Sequence, residues 1–255
     1  MGQETFTFAS TSGSTEAANG VTFGCGNDQK DFDVMGRTRM VGVMGASWGA
    51  NSLISQLRAR GLSGNFSYCM PQFGEAGQAH PSTFLRFGDD IPRKPGTFTT
   101  SLVRYPGEDV FTHRAAGTSG IIIDSGDDIS LLNNAAFNAL KTALTNYFLQ
   151  KGYDYHVITS QHNLELCYSR PASVGYLQLP TLTFVFSDGS GLQVPARNVF
   201  ILDGDARTKY FCLAMHRSPD QSCLIGAFQQ RNQRIIYDST NGKLHFGTEL
   251  CHISK

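Results

Sequence analysis

Short runs of β-branched and aromatic residues recur along the chain, separated by turn residues, and this pattern restricts the fold more than any other feature. Such runs are typical of strands, and 27 Gly with nine Pro are enough to supply many tight turns between them. The runs do not alternate regularly with helical segments, so a parallel sheet built from strand–helix–strand units is not expected. The sequence therefore predicts an all-β, mostly antiparallel protein with a few short helices.

Two segments have apolar residues at helical spacing, and we predict helices at Ser52–Arg60 and Asn133–Gln150. The predicted strands are Thr5–Ala9, Val21–Phe23, Phe66–Met70, Phe84–Phe87, Ile121–Ile123, Thr181–Phe186, Val199–Leu202, Tyr210–Ala214, Arg234–Tyr237 and Lys243–Phe246. A polar loop, Ser10–Gly20, is expected between the first two strands, and Thr240–Gly242 predicts a hairpin between the last two. The charged, proline-containing stretch Gly88–Gly96 predicts a boundary between a first domain, 1–96, and a second, 97–255.

Charge and cysteine spacing exclude several classes of protein. The 21 basic and 21 acidic residues cancel, which does not favour binding to nucleic acid or to an anionic membrane. No apolar run approaches the roughly 20 residues of a membrane-spanning helix, and the first residues do not resemble a secretory leader. The six cysteines show no metal-binding spacing, so neither a metal nor a cofactor is predicted. Their even number permits disulfides, although the sequence alone does not determine the pairing.

Residues 121–126 place a carboxylate at the end of a β-branched strand. The run Ile121–Ile123 stops at Asp124, Ser125 and Gly126, a turn whose backbone amides can support a carboxylate. Two such aspartates facing each other could share one proton and activate a water molecule. Because an aspartate followed by Ser-Gly is also an ordinary turn sequence, the tripeptide by itself does not decide between a catalytic and a structural role.

A second motif, Gly45–Gly49, formally matches the G-x-S-x-G turn that carries the nucleophile of many serine hydrolases. That motif requires an α/β repeat around its strand, with an acid and a histidine placed behind it. The chain has no such repeat. We therefore interpret Gly45–Gly49 as a glycine-rich turn.

Taken together, the segments resemble the plant nepenthesin-type branch of the pepsin-like aspartic proteases. The matching segments, in the family's order, are Glu4–Ala9, Val21–Gly26, Leu53–Leu57, Phe66–Cys69, Thr100–Pro106, Ile121–Gly126, Cys167–Tyr168, Tyr210–Ala214 and Leu224–Phe246. The resemblance implies a bilobal, almost all-β fold in which each lobe supplies one D-[TS]-G aspartate. It further implies that an apolar-apolar-Gly segment packs beneath each aspartate and that a hairpin flap covers the cleft.

The resemblance assigns roles to particular residues. Asp124 matches the family's second aspartate, which belongs to the C-terminal lobe. The implied disulfides are Cys69–Cys251 and Cys167–Cys212. Cys25 matches a cysteine whose partner lies in a family segment before Glu4–Ala9, and Cys223 matches none.

The chain also departs from the family pattern. The family's first aspartate and flap precede the segment that Glu4–Ala9 resembles, and these 255 residues contain no second D-[TS]-G. Where the family has a Thr or Ser whose hydroxyl supports the aspartate, this chain has Asp127, which cannot donate a hydrogen bond once ionised. The stretch from Pro106 to Ile121 is shorter than in the family. The resemblance thus implies an N-terminally truncated, internally shortened homologue with an incomplete N-lobe.

These departures predict a pseudo-protease that acts by binding a protein or peptide partner, because hydrolysis of this kind needs two facing carboxylates. The alternative is an active aspartic endopeptidase, in which a second copy or a separate N-lobe supplies the missing aspartate. That alternative requires a homo-oligomer or a complex of two chains. Family members are usually secreted or vacuolar, but the residues of this chain do not predict a compartment.

Overall fold

Strands dominate the structure, a computed structural model that describes residues 1–10, 12–26, 42–72, 84–92, 96–102, 120–151, 156–158, 163–173, 178–220 and 222–251. The strands are β1 (Gly2–Ala9), β2 (Thr15–Phe23), β3 (Phe66–Cys69), β4 (Arg86–Phe87), β5 (Phe98–Ser101), β6 (Ile121–Ile123), β7 (Ser130–Leu132), β8 (His156–Ile158), β9 (Cys167–Pro171), β10 (Leu182–Val185), β11 (Gly191–Val194), β12 (Phe200–Gly204), β13 (Thr208–Leu213), β14 (Met215–Arg217), β15 (Cys223–Ile225), β16 (Gln233–Asp238) and β17 (Lys243–Thr248). The helices are α1 (Leu53–Ala59), α2 (Asn134–Gln150), α3 (Ala196–Val199) and α4 (Ala227–Gln230). The predicted all-β class with a few helices is confirmed.

The two predicted helices are confirmed, and polar side chains fix where they begin. The side chain of Ser52 accepts a hydrogen bond from the backbone amide of Ser55 at the start of α1, and Asn133 does the same for Ala136 at the start of α2. Each bond satisfies one of the amides that a first helical turn leaves unpaired. Among the described residues, none of the helices has the length and apolar character needed to cross a bilayer.

The predicted loop Ser10–Gly20 is wrong over most of its length. Residues from Thr15 onward belong to β2, which pairs antiparallel with β1 so that Ala18 lies opposite Phe6. Small and polar residues occupy this strand because the cross-strand ladder, rather than local propensity, determines its extent. The predicted strand at Phe84–Phe87 is shorter in the structure, where only Arg86–Phe87 is extended.

A five-stranded sheet joins strands from both sides of the predicted boundary at residue 96. The strand order is β4-β3-β16-β17-β5, and each pair of adjacent strands is antiparallel. The disulfide Cys69–Cys251, predicted from the family resemblance, links the end of β3 to the segment after β17. The division into domains 1–96 and 97–255 stays a prediction. The segment between Pro106 and Ile121, predicted to be shortened, lies mostly outside the described residues.

The second disulfide sits inside a four-stranded sheet of order β12-β13-β9-β8, where Cys167 of β9 faces Cys212 of β13. Helix α2 packs on this sheet through its buried face, and the ring of Phe148 lies 4.7 Å from the ring of Tyr168. Both disulfides that the resemblance implies are therefore confirmed. Cys25 and Cys223 are unpaired, and Cys25 is exposed.

A third sheet, of order β14-β7-β15-β6, positions the Asp124 turn. Strand β15 lies between β6 and β7, although those two strands are neighbours in sequence. It runs parallel to β6 and antiparallel to β7, and β14 runs parallel to β7. The two parallel ladders were not expected from the sequence, because they join residues far apart in the chain, Ser130 to Met215 and Ile121 to Cys223, without any strand–helix–strand repeat.

A buried ion pair stabilises the centre of the five-stranded sheet. The guanidinium of Arg234 on β16 donates to both carboxylate oxygens of Glu249, at 2.8 and 3.1 Å, and to the hydroxyl of Ser67 on β3 at 3.2 Å. Both side chains of the pair are almost fully removed from solvent. A charge in such a place has no water to replace a lost partner, so removing one member of the pair destabilises the protein.

We expect Glu249→Gln to lower the free energy of unfolding by about 3–5 kcal/mol, because it leaves the Arg234 charge buried without a counterion. Glu165→Gln is the matched control, since Glu165 pairs with Arg217 at 3.1 Å where both side chains are about a third exposed. That exposed pair should contribute no more than about 1 kcal/mol. Urea unfolding of both variants measures the difference, and equal losses would contradict the assignment of the buried pair as the stabilising one.

Candidate functional site

The predicted site residues Asp124, Ser125 and Gly126 form an exposed turn at the end of β6. The backbone amide of Gly126 donates to Oδ1 of Asp124 at 2.8 Å. The amide of Asp124 in turn donates to the carbonyl oxygen of Ile225 at 3.1 Å. The turn is therefore held from one side by its own backbone and from the other by the end of β15.

The residue after β15, Gly226, comes so close to the aspartate turn that no side chain fits. A Cβ placed on Gly226 would lie 2.5 Å from the carbonyl carbon of Ile129, well inside van der Waals contact. Immediately after it, the amides of Ala227 and Phe228 donate to the carbonyl oxygens of Asp127 and Asp128, at 2.7 and 2.8 Å. The apolar-apolar-Gly segment thus packs directly against the Asp124 turn, as the resemblance implies.

A fully buried glutamine, Gln229, fixes the base of this arrangement. Its Oε1 accepts from both the amide and the hydroxyl of Ser130, at 3.0 and 2.7 Å. Its Nε2 donates to the carbonyl oxygens of Asn198 and Ala214. The hydroxyl of Ser130 also accepts from the amide of Gly226 at 3.0 Å. All four hydrogen-bonding positions of the Gln229 amide are used, which is what a buried amide needs to be stable.

Two tyrosines and a second glutamine surround the turn, and the sequence assigned no role to them. The hydroxyl of Tyr68 donates to Oε1 of Gln230 at 2.6 Å, and Nε2 of Gln230 donates to the carbonyl oxygen of Ile225 at 2.8 Å. The hydroxyl of Tyr237 donates to the carbonyl oxygen of Ile123 at 3.3 Å. The rings of Tyr68 and Tyr237 lie 6.3 Å apart. The only sequence signal for this group was that Tyr68 and the Gln229–Gln230 pair lie in segments that resemble the family.

Both tyrosines stay protonated in the physiological range. Burial raises the pKa of Tyr68 well above 10.0, and the nearby charge of Asp124 adds to the effect. Burial likewise raises the pKa of Tyr237 to about 12. Each hydroxyl therefore keeps its proton and can act as a hydrogen-bond donor beside the aspartate turn.

Asp127 occupies the position at which the resemblance implies a hydroxyl. Burial raises the pKa of its carboxyl, and the negative charges of Asp124 and Asp128 raise it further. The donor to the Asp124 carboxylate is the backbone of Gly126.

The Gly45–Gly49 segment forms a turn before α1. The hydroxyl of Ser47 accepts from the amide of Gly49 at 3.3 Å, and its carbonyl accepts from the hydroxyl of Ser52 at 2.6 Å. Ser47 thus serves the start of a helix, as the interpretation of a glycine-rich turn expects. Within the described ranges, no three His, Cys, Asp or Glu residues are grouped so as to hold a metal ion.

Comparison with known proteins supports one family along the chain. A family model described as "Xylanase inhibitor N-terminal" matches residues 1–89, and one described as "Xylanase inhibitor C-terminal" matches residues 101–248. Aspartic proteinase nepenthesin-1 of Nepenthes gracilis is 30% identical over 280 residues, and nepenthesin-2 of the same organism is 30% identical over 278. Each alignment covers the whole of this chain, which spans 58% of the length of either relative.

Solved structures support the same fold. Basic 7S globulin from soybean superposes with a TM-score of 0.72 at 17% identity, covering 98% of this chain and 69% of its own. The protein named edgp superposes with a TM-score of 0.71 at 14% identity, with coverage of 98% and 70%. At these identities the superpositions establish the fold and nothing further.

We expect Gly226→Ala to destabilise the protein by about 1–3 kcal/mol, because the added methyl group would overlap the backbone of Ile129. Gly120→Ala is the matched control, since Gly120 precedes β6 and its Cβ position is empty within 4 Å. Urea unfolding measures both variants. Equal effects would show that the close approach of Gly226 is not a constraint.

Because the pKa of Asp127 is raised, we expect that removing its charge stabilises the folded protein, and that this gain in the free energy of unfolding depends on pH. The folded protein holds this proton more tightly than the unfolded chain, so the group's contribution to stability falls as pH rises above about 3.8, the ordinary value for Asp. Asp127→Asn should therefore raise the free energy of unfolding at pH 7 and leave it nearly unchanged at pH 3.

Asp205→Asn serves as the control of opposite sign. Backbone hydrogen bonds from Thr208 and Arg207 lower the pKa of Asp205, so its charge favours the folded state above that pKa. The substitution should lower stability at pH 7, and denaturant unfolding at both pH values tests the pair. A loss of stability in Asp127→Asn at pH 7 would contradict the assignment.

Proposed function

Because the chain belongs to the plant pepsin-like aspartic protease family, we propose that these 255 residues act by binding a protein or peptide partner, without hydrolysing it. The proposal treats Asp124 as the family aspartate of the C-terminal lobe. It takes the Asp124 turn as the surface around which binding is organised.

The need for two carboxyl groups in this type of peptide hydrolysis supports the proposed absence of activity. Peptide cleavage by this family's mechanism needs one ionised and one protonated carboxyl that hold a water molecule between them. Among these 255 residues, Asp124 is the only aspartate in a D-[TS]-G sequence. Asp127 belongs to the same turn three residues later and so cannot face Asp124 across a cleft.

The observation that carries the proposal is the carboxyl of Asp127 in the place of a hydroxyl. A Thr or Ser there would donate a hydrogen bond towards the aspartate, whereas an ionised Asp can only accept one. Burial and the charge of Asp124 raise the pKa of Asp127. At this position the turn therefore lacks the hydroxyl donor that the family pattern places beside the aspartate.

The first partner to test follows from the family descriptions. Both matching family models are described as xylanase inhibitors. We therefore propose a glycoside hydrolase, with an endoxylanase as the first probe, as the class of protein partner. The exposed turn Asp124–Gly126 lies at the surface, where a partner can reach it.

A cleavage assay tests the absence of hydrolysis. The purified 255-residue protein should give no pepstatin-sensitive cleavage of an unfolded protein substrate between pH 2.5 and 5, and Asp124→Ala should behave identically. Asp127→Thr should also stay inactive, because it restores the hydroxyl but not a second aspartate. Cleavage that pepstatin blocks and Asp124→Ala abolishes would overturn the proposal.

The alternative is an active endopeptidase assembled from two chains, and the exposure of Asp124 favours it. A carboxylate at the surface is accessible to an aspartate from a second copy or from a separate N-lobe. In that case cleavage would appear only at high protein concentration or on addition of an N-lobe, and light scattering would show a dimer. A monomer at all concentrations would exclude the symmetric form.

We expect binding of the intact protein to an immobilised endoxylanase, because the binding proposal requires a folded protein partner. Surface plasmon resonance measures it, with Asp124→Ala and Asp205→Asn as paired variants that each remove one exposed aspartate charge. The proposal expects weaker binding only in Asp124→Ala. Absence of binding in the unmodified protein would exclude xylanase as the partner class.

A further inference from the structure

We propose that Tyr68 is a positioning residue for the Asp124 turn, coupling the turn to the five-stranded sheet through its hydroxyl group. The inference rests on the proposed function only in taking Asp124 as the carboxylate of the site. It concerns how the turn is held, whether the assembled protein binds or cleaves.

The first connection runs through the buried side chain of Gln230. Tyr68 donates to Oε1 of Gln230 at 2.6 Å, and Gln230 donates from Nε2 to the carbonyl oxygen of Ile225 at 2.8 Å. That same carbonyl accepts the amide of Asp124 at 3.1 Å. The hydroxyl of Tyr68 is therefore two hydrogen bonds away from the acceptor that holds the backbone of the aspartate.

The second connection runs through Tyr237. Its ring lies 6.3 Å from the ring of Tyr68. The hydroxyl of Tyr237 donates to the carbonyl of Ile123, the residue before Asp124, at 3.3 Å. The carbonyl before Asp124 is thus bonded to a phenol group that lies beside Tyr68.

The sheet gives Tyr68 a fixed base from which to act. It lies on β3, whose neighbours on either side are β4 and β16, and the next residue, Cys69, is tied to Cys251 by a disulfide. The ring of Tyr237 stacks on Phe66 at 4.5 Å with the planes only 7° apart. Both tyrosines lie on strands of this sheet, so the sheet determines where their hydroxyl groups lie.

A purely structural role would make a different prediction. If Tyr68 only filled space, its ring would contribute to stability, and removing its hydroxyl group would not change the Asp124 turn. If the bond from Tyr68 to Gln230 supported only the sheet, loss of the hydroxyl would weaken the whole sheet and not the turn in particular. Tyr68→Phe separates these cases because it keeps the ring and removes one oxygen atom.

Amide hydrogen exchange, followed by NMR on the intact 255-residue protein, provides the test. In Tyr68→Phe we expect the amides of Asp124 and Gly126 to exchange about fivefold faster, the factor that corresponds to loss of one ordinary hydrogen bond. The amides of β16 should keep their rates, and urea unfolding should change little. Tyr147→Phe is the matched control, since Tyr147 donates to the carbonyl of Gln178 at 2.8 Å far from the turn.

A double-mutant cycle with Gln230→Met tests the connection through Gln230. If Tyr68 acts on the turn through Gln230, adding Tyr68→Phe to Gln230→Met should accelerate exchange at Asp124 no further, because Gln230→Met already removes both hydrogen bonds of the connection. Multiplicative effects would show that the two residues act independently and would overturn this connection. Unchanged exchange in Tyr68→Phe, or equal acceleration throughout β16, would overturn the proposal. Neither outcome depends on whether the protein binds xylanase or cleaves a substrate.

Discussion

The insertion of β15 between β6 and β7 is the constraint on which the rest of the site depends. It brings the carbonyl of Ile225 to the amide of Asp124 and forces Gly226 against the backbone of Ile129. The hydrogen bonds that secure it join residues 96 and 99 positions apart in sequence. Without β15, strand β6 would have no partner strand among the described residues, and the backbone amide of Asp124 would lose its acceptor.

Buried amide side chains make this insertion specific. Gln229 and Gln230 lie in the interior, where an apolar residue would pack as well but would leave the surrounding carbonyls and hydroxyls unsatisfied. Because an amide bonds only in particular directions, these glutamines permit one register of β15 and penalise the others. The exposed acidic turn thus packs on neutral, hydrogen-bonded side chains in the interior, those of Gln229 and Gln230.

Much of the local structure could be predicted, because it depends on neighbouring residues. The caps and apolar spacing of α1 and α2, the hairpin at Thr240–Gly242 and the aspartate at the end of β6 are all visible in short stretches of sequence. The family resemblance added the two disulfides. The extent of β2, the parallel ladders and the hydrogen bond between Tyr68 and Gln230 could not be predicted, because each depends on a partner distant in the sequence.

The late position of β15 in the sequence also determines when the site can form during synthesis. Strand β6 emerges from the ribosome about a hundred residues before the segment that completes its sheet, so the apolar Ile121–Ile123 edge remains uncovered for several seconds at ordinary translation rates. A nascent chain in that state exposes an unpaired strand, the kind of surface that chaperones recognise and that promotes aggregation. The long-range pairing that fixes the aspartate turn therefore leaves one strand edge open until the last part of these 255 residues has been made.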